Sequence, residues 1–433
     1  LRLTHKGDAA SLSSRIRPLR DHGRRENKLA NYYGTNGADN SFGTSDNDLA
    51  YGYAGDDYLR GAAGDDELHG GAGNDILRGG AGIDRMYGGD GFDRISFSEV
   101  TTQGVIVDLR RQLIINDGFG NQEKISSIEA LGISTRFMDI FRGNDEVNQL
   151  LGNQGDRIFG YGGDDQLLVD GIANTKIDGG DGRDSLTLPG YQDVYADDGA
   201  YLDSVAATEG IVVDLSRGLI LNDGFGQSGR ITSIEDFYAY GDTDARLTGS
   251  DGANLLSAGS GADRLMGRSG DDELHGEGGD DRLFGDAGGD VLVGGAGKDL
   301  LTGGDSADVF AFSGFNLVGF DYTNGGPALV FQPADSGATQ KDADRILDFN
   351  RADGDLIDLS GIDAQTQFVG DSSPDDAFVW RGTAGFTGAG GEARYQIRGG
   401  NTFIYLDIGG EDGGDMVIRV DGEHILTAGD FVL

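Results

Sequence analysis

Cysteine is absent from this chain, which excludes disulfides, thiolate metal ligands and a thiol nucleophile. Proline is scarce, at 5 residues, and tryptophan occurs once, so neither a collagen-like chain nor a Pro-rich linker describes it. Positive charge is also short. The 34 Lys plus Arg face 74 Asp plus Glu, a formal net charge of −40, which repels nucleic acid and anionic membranes and favours cations as partners. No run approaches the roughly 18 consecutive apolar residues of a membrane span, and the N-terminus has no apolar signal core. An exported form would need another route. The chain begins at Leu1 rather than Met, which fits a processed form or a piece of something longer.

Glycine is abundant, at 78 of 433 residues. Glycine at that level means either disorder or a repeat that needs special backbone angles at fixed positions, and periodicity decides for the repeat. The unit has nine residues, G-G-x-G-x-D-x-U-x, with U a large apolar residue. Residues 34–96 hold seven such units in register, among them GAAGDDELH from Gly61 and GGAGNDILR from Gly70. Residues 249–311 hold seven more, including GRSGDDELH from Gly267 and GGAGKDLLT from Gly294. Between them lies a less regular set, with GYGGDDQLL from Gly160, GGDGRDSLT from Gly179 and a turn at Gly152 that is one residue short.

Each position has a physical role. The first six residues make a turn in which glycine allows positive φ and close backbone approach. The last three make a short strand whose middle side chain (Leu68, Leu77, Met86, Leu274, Leu283, Leu292) points inward. Two units complete one turn of a parallel helix, which stacks the loops in two columns. Carboxylates at the sixth position and carbonyls at the fourth would then converge between successive loops. The carboxylates are Asp39, Asp48, Asp57, Asp66, Asp75, Asp84 and Asp93, then Asp156, Asp165 and Asp184, then Asp263, Asp272, Asp281, Asp290, Asp299 and Asp308. The glycines are Gly55, Gly64, Gly73, Gly82, Gly91, Gly163, Gly182, Gly261, Gly270, Gly279, Gly288 and Gly297. An all-oxygen, partly main-chain ligand set suits several Ca²⁺ ions and is poor for metals that prefer imidazole or thiolate. The bland alternative is a Gly-Asp turn that caps strands without metal.

The nonapeptide resembles the calcium-binding repeat of the RTX (repeats-in-toxin, hemolysin-type) family. The stretch ADRILDFNRADGDLIDLSGID from Ala343, with the terminal Asp430, Phe431, Val432 and Leu433, resembles the C-terminal module of serralysin-type metalloproteases and secreted mannuronan C5-epimerases. In that family an uncleaved C-terminal signal, an acidic residue followed by apolar ones, is read by a type I secretion apparatus. The resemblance implies an all-β fold: a parallel β-roll or β-helix solenoid with wider β-helical spacers and a C-terminal β-rich cap. It also implies secretion to the extracellular space or cell surface.

The organisation expected is a basic segment or linker (1–33), a first array (34–96), a spacer (97–142), a middle array (143–187), a second spacer (188–248), a third array (249–311) and a C-terminal secretion module (312–433). The basic segment carries Arg15, Arg17, Arg20, Arg24, Arg25 and Lys28. The spacers are duplicates: GVIVDLRRQLIINDGFGNQEKISSIE from Gly104 matches GIVVDLSRGLILNDGFGQSGRITSIE from Gly210 without a gap. Their NDGFG segment is expected to be a hairpin-type turn rather than a ligand loop.

No catalytic site emerges. The His-Glu-x-x-His zinc helix of the proteases is missing, as is a G-x-S-x-G nucleophile elbow. His69 and His275 take equivalent ninth positions, expected to face outward, and Trp380 is expected in a core rather than on a sugar platform. The role expected is a non-enzymatic protein of the cell surface or of an extracellular assembly that folds on Ca²⁺ after export. Two alternatives stay open: the export tail of an exoenzyme whose catalytic domain precedes Leu1, and a polysaccharide-binding module. A polysaccharide or a surface protein complex would be the partner; nucleic acid would not.

Overall fold

The computed structural model describes residues 31–97, 101–132, 135, 137–195, 201–313, 315–321, 328–333, 339–362, 377–407 and 416–433. The basic residues from Arg15 to Lys28 lie outside them. Among the described residues there is no α-helix; strands and three short 3-10 turns make up the regular structure.

The last three residues of one nonapeptide and the first three of the next form a single strand, as in Tyr58–Ala63, Glu67–Ala72 and Ile76–Ala81. Strand alternation turns the eighth residue of a unit and the first of the next inward. Leu59, Leu68 and Leu77 are fully buried there. Gly61 takes the other inward place, where a Cβ would lie 2.2 Å from the Asp66 carboxylate. Each strand pairs in parallel with the one 18 residues on, Leu68 with Met86 in one wall and Leu59 with Leu77 in the other. Successive units therefore alternate between two walls, of 22 and 15 strands among the described residues. One hydrophobic cluster runs between them from Ala50 to Phe431.

The spacers continue the solenoid by splicing an antiparallel meander into the longer wall. In the first spacer, Glu123–Ser126 pairs in parallel with Arg85–Asp90, then antiparallel with Leu113–Asn116, which pairs antiparallel with Ile106–Asp108. The next rung, Ile140–Arg142, stacks on Ile106–Asp108. The chain thus runs ahead and folds back. The shorter wall gains Ala130–Gly132. The second spacer repeats the pattern with Gly229–Thr232, Leu219–Asp223 and Ile211–Asp214. Both NDGFG segments are hairpin turns held by their own side chains: Oδ1 of Asp117 accepts from the N–H of Phe119 and of Asn121, both at 2.8 Å, and Asp223 does the same for Phe225 and Gln227 at 3.0 Å.

The short turn at Gly152 is made good one rung later. The step from Asp139 to Asp156 is 17 residues, and that from Asp165 to Asp184 is 19, so the inward positions return to register. Beyond the third array, Asp344–Ile346 extends the longer wall and Leu356–Gly361 the shorter one. Met416–Asp421, Asn401–Asp407 and Glu392–Arg398 close the longer wall as a meander. Trp380 is partly buried and packs against this cap's core, stacked on Tyr395 with centroids 5.8 Å apart and against Phe431 at 4.5 Å. His69 and His275 sit half-buried on strands, bonded to Glu67 and Glu273.

Candidate metal centres

Along each edge of the roll the sixth-position aspartates form a ladder. The main-chain N–H of each donates to Oδ1 of the aspartate one turn on. Asp39, Asp57 and Asp75 donate to Asp57, Asp75 and Asp93 at 2.7, 2.8 and 2.8 Å. Asp48 and Asp66 donate to Asp66 and Asp84 at 2.7 and 2.8 Å on the opposite edge. In the third array Asp263 bonds to Asp281 at 2.7 Å, Asp281 to Asp299 at 2.8 Å, Asp272 to Asp290 at 2.8 Å and Asp290 to Asp308 at 2.9 Å. In the middle array Asp165 bonds to Asp184 at 2.9 Å.

The second oxygen of these carboxylates is the informative one. Among the described residues, Oδ2 of Asp57, Asp66, Asp75, Asp84, Asp93, Asp165, Asp184, Asp263, Asp272, Asp281, Asp290 and Asp308 is buried and finds no hydrogen-bond donor. What surrounds it is more oxygen. A Cβ placed on Gly52 would lie 2.1 Å from Oδ2 of Asp57 and 2.6 Å from the carbonyl oxygen of Gly70, the equivalent residue one turn on. Fourth-position carbonyls point along the axis at the next loop: the Gly64 oxygen would be 1.9 Å from a Cβ on Gly82, whose φ of +145° suits glycine. The fourth-position glycines of the expected set share positive φ, Gly261 excepted.

A buried carboxylate oxygen beside carbonyl oxygens, with no N–H to answer it, carries a desolvation cost that only a cation or a proton offsets. The protein atoms alone push the carboxyls toward the proton: burial raises Asp66, Asp75 and Asp93 to about 6, Asp84, Asp165, Asp272 and Asp308 to about 7, and Asp281 to about 9. A hard cation answers the same need at neutral pH. The residues present fit Ca²⁺, with oxygen donors only and cradles that a side chain at the glycines would fill. Among the described residues no three Asp, Glu, His or Cys side chains converge as a ligand group, so main-chain carbonyls would supply much of each shell.

Three expected ligands differ. Oδ2 of Asp39 accepts from the Thr35 N–H at 2.5 Å, Oδ2 of Asp48 from the Thr44 N–H at 2.6 Å, and Oδ2 of Asp156 from the Asn153 N–H at 2.7 Å. The first rung and the short Gly152 turn thus satisfy these carboxylates internally. Conversely, the ladder includes residues that the nonapeptide pattern does not name. Asp93 donates to Glu129 at 2.8 Å and Asp184 to Glu235 at 2.9 Å, so the glutamates of the two SIE segments carry the ladder into the spacers. Asp299 donates to Asp344 at 2.7 Å and Asp308 to Asp355 at 3.1 Å, which carries it into the C-terminal module.

A sequence profile of the RTX calcium-binding nonapeptide repeat (4 copies) matches residues 33–68, 60–95, 240–274, 248–283, 257–292 and 284–316. The two long arrays are RTX calcium-binding repeats. No curated protein matches this chain. Among solved structures it is similar to the AlgE6R3 subunit of the Azotobacter vinelandii mannuronan C5-epimerase, at 21% identity over 44% of this chain and 80% of that one, with a TM-score of 0.23. It is also similar to the extracellular lipase LipA of Serratia marcescens, at 14% identity over 71% of this chain and 40% of the lipase, with a TM-score of 0.16. The matched repeats bind calcium, several ions across them.

The terminal Asp430, Phe431, Val432 and Leu433 are built into the fold. Asp430 is buried and held by Arg351 and Thr427, and Phe431–Val432 is the last strand of the shorter wall, paired with Ile357 and Asp358. No helix among the described residues is long and apolar enough to cross a membrane.

Proposed function

We propose that this chain is exported unfolded through a type I apparatus and folds outside the cell on Ca²⁺, to act as a non-enzymatic structural or interaction protein at the cell surface or in an extracellular assembly. The carrying observation is the column of buried carboxylate oxygens without donors. At neutral pH and without divalent cation, these charges oppose the closed roll and the chain stays threadable. With Ca²⁺ at extracellular levels, roughly 10⁻⁴ to 10⁻³ M, the weak class of oxygen sites fills and binding energy becomes folding energy. Because each loop bonds to the next, filling propagates from rung to rung. The sixth-position aspartates and loop carbonyls hold the ions, while the inward apolar residues align the rungs.

Burial of Asp430 and Phe431 supports the order of events, since a tail sealed into the last strand is available to an export machine only before folding. The test is export from cells carrying a type I apparatus. The intact chain reaches the medium, protease-sensitive until Ca²⁺ is added, whereas a chain lacking residues 430–433 stays inside. Equal export of both would overturn the reading.

A further inference from the structure

Where the first array meets the first spacer, the longer wall ends its aspartate ladder on a glutamate. Glu123 stands at the ladder position, two residues before the inward Ile125, which pairs with Met86. Its carboxylate accepts from the main-chain N–H of Asp84 and lies in hydrogen-bonding reach of Asp117 on the hairpin turn. Both acids are buried, Glu123 at 2% exposure and Asp117 at 3%. Among the described residues, Oε1 of Glu123 finds no hydrogen-bond donor. Glu123 and Asp117 line a small enclosed space with Gly79, Gly80, Met86 and Phe119, with room for about one water or ion.

The second junction is an internal comparison. There Thr175 stands where Asp84 does, Gly229 where Glu123 does, and Asp223 keeps the place of Asp117, with Ile177 paired to Ile231 as Met86 is to Ile125. The space is plugged by protein. A Cβ on Gly229 would lie 2.6 Å from Cδ1 of the buried Ile172, and Oδ2 of Asp223 accepts the Ile172 N–H at 3.1 Å. Loss of the two ladder acids goes with an apolar plug and a main-chain donor. At the first junction Oδ2 of Asp117 accepts instead from the Asn121 side-chain amide at 2.9 Å, and the space beside Glu123 stays open.

We propose that Asp117 and Glu123 bind one Ca²⁺ at the first junction, outside the nonapeptide turns, and that the second junction binds none. A buried carboxylate oxygen of Glu123 that finds no donor among the described residues, beside a second buried carboxylate, is a place that a cation stabilises. Two carboxylates with main-chain oxygen nearby form a hard oxygen site like those of the arrays. The site would close the first ladder at the point where the glycine-rich loops stop. The proposal does not rest on export; it requires only Ca²⁺ around the folded chain.

Calcium stoichiometry of the full chain by equilibrium dialysis tests it, with circular dichroism confirming the fold of each variant in Ca²⁺. Glu123→Gln and Asp117→Asn should each bind one ion fewer than the parent, and Asp223→Asn the same number. An unchanged count in folded Glu123→Gln overturns the proposal, and leaves the array sites untouched. Anomalous diffraction from the unaltered protein crystallised with Ca²⁺ covers the case of a variant that does not fold. A calcium peak between Asp117 and Glu123, with none beside Ile172, is expected. Calcium peaks in the arrays and none between these acids would overturn the proposal.

Discussion

The main-chain N–H of Asp57 donates to Oδ1 of Asp75, 2.8 Å away and one full turn further along the roll, while Oδ2 of the same Asp75 finds no donor among the described residues. One carboxylate thus has two tasks: one oxygen joins rungs, the other awaits an ion. Substitutions separate them. Asp75→Asn keeps an acceptor for Asp57 and removes the charge; Asp75→Ala removes both and orphans a buried N–H, a cost of about 1–3 kcal/mol. Urea unfolding in saturating Ca²⁺ should therefore find Asp75→Ala less stable than Asp75→Asn, and both less stable than the parent. Equal losses would mean that the rung-to-rung bond contributes nothing.

Carboxyl groups held above their unfolded values link the metal-free fold to pH. Their contribution is whole below about pH 4, the unfolded value. It is lost as pH rises through about 6 at Asp66 and Asp75, about 7 at Asp84 and Asp272, and about 9 at Asp281. In chelator, β signal by circular dichroism should grow as pH falls from about 8 to about 5. In Ca²⁺ the dependence reverses, because protons compete with the ion, and the Ca²⁺ midpoint should rise over the same range. A metal-free signal flat with pH would contradict the burial argument.

Glycines divide by what a methyl group would strike. At Gly82, φ is +145° and a Cβ would lie 1.9 Å from the Gly64 carbonyl oxygen, so Gly82→Ala forces a ligand carbonyl aside. At Gly37, no described residue lies within 4 Å of a Cβ, and φ is not positive. Gly82→Ala should raise the Ca²⁺ midpoint by an order of magnitude or more, roughly 1.4 kcal/mol per tenfold, whereas Gly37→Ala should stay within about 0.5 kcal/mol of the parent. Calcium titration of the two variants side by side decides it.

The nonapeptide arrays could be read directly because glycine, aspartate and the inward leucine recur at fixed spacing, as at Gly70, Asp75 and Leu77. Rungs without a glycine-rich loop were hidden by the same pattern. Glu123 before Ile125, Glu129 before Leu131, Asp139 before Phe141, Glu235 before Phe237, Asp344 before Ile346 and Asp355 before Ile357 share one signal, an acid two residues before an inward apolar residue. Spacing of the acid to the core residue would have found them. The backward meander of the spacers had no such signal, because alternation in VIVDL and IVVDL marks a strand without saying which neighbour it pairs with. Nor did sequence alone show that the turns around Asp39, Asp48 and Asp156 satisfy their own carboxylates, since this depends on where the Thr35, Thr44 and Asn153 N–H groups point.

Far-ultraviolet circular dichroism of the metal-free chain, titrated with Ca²⁺ and in parallel with Mg²⁺, tests the central claim most directly. A steep, cooperative gain of β signal is expected with Ca²⁺, centred at roughly 10⁻⁴ to 10⁻³ M, and little with Mg²⁺, whose tight octahedral preference and slow dehydration suit these carbonyl-rich cradles poorly. A chain already fully β-structured in chelator at neutral pH would contradict the claim that the buried carboxylates need the ion to fold.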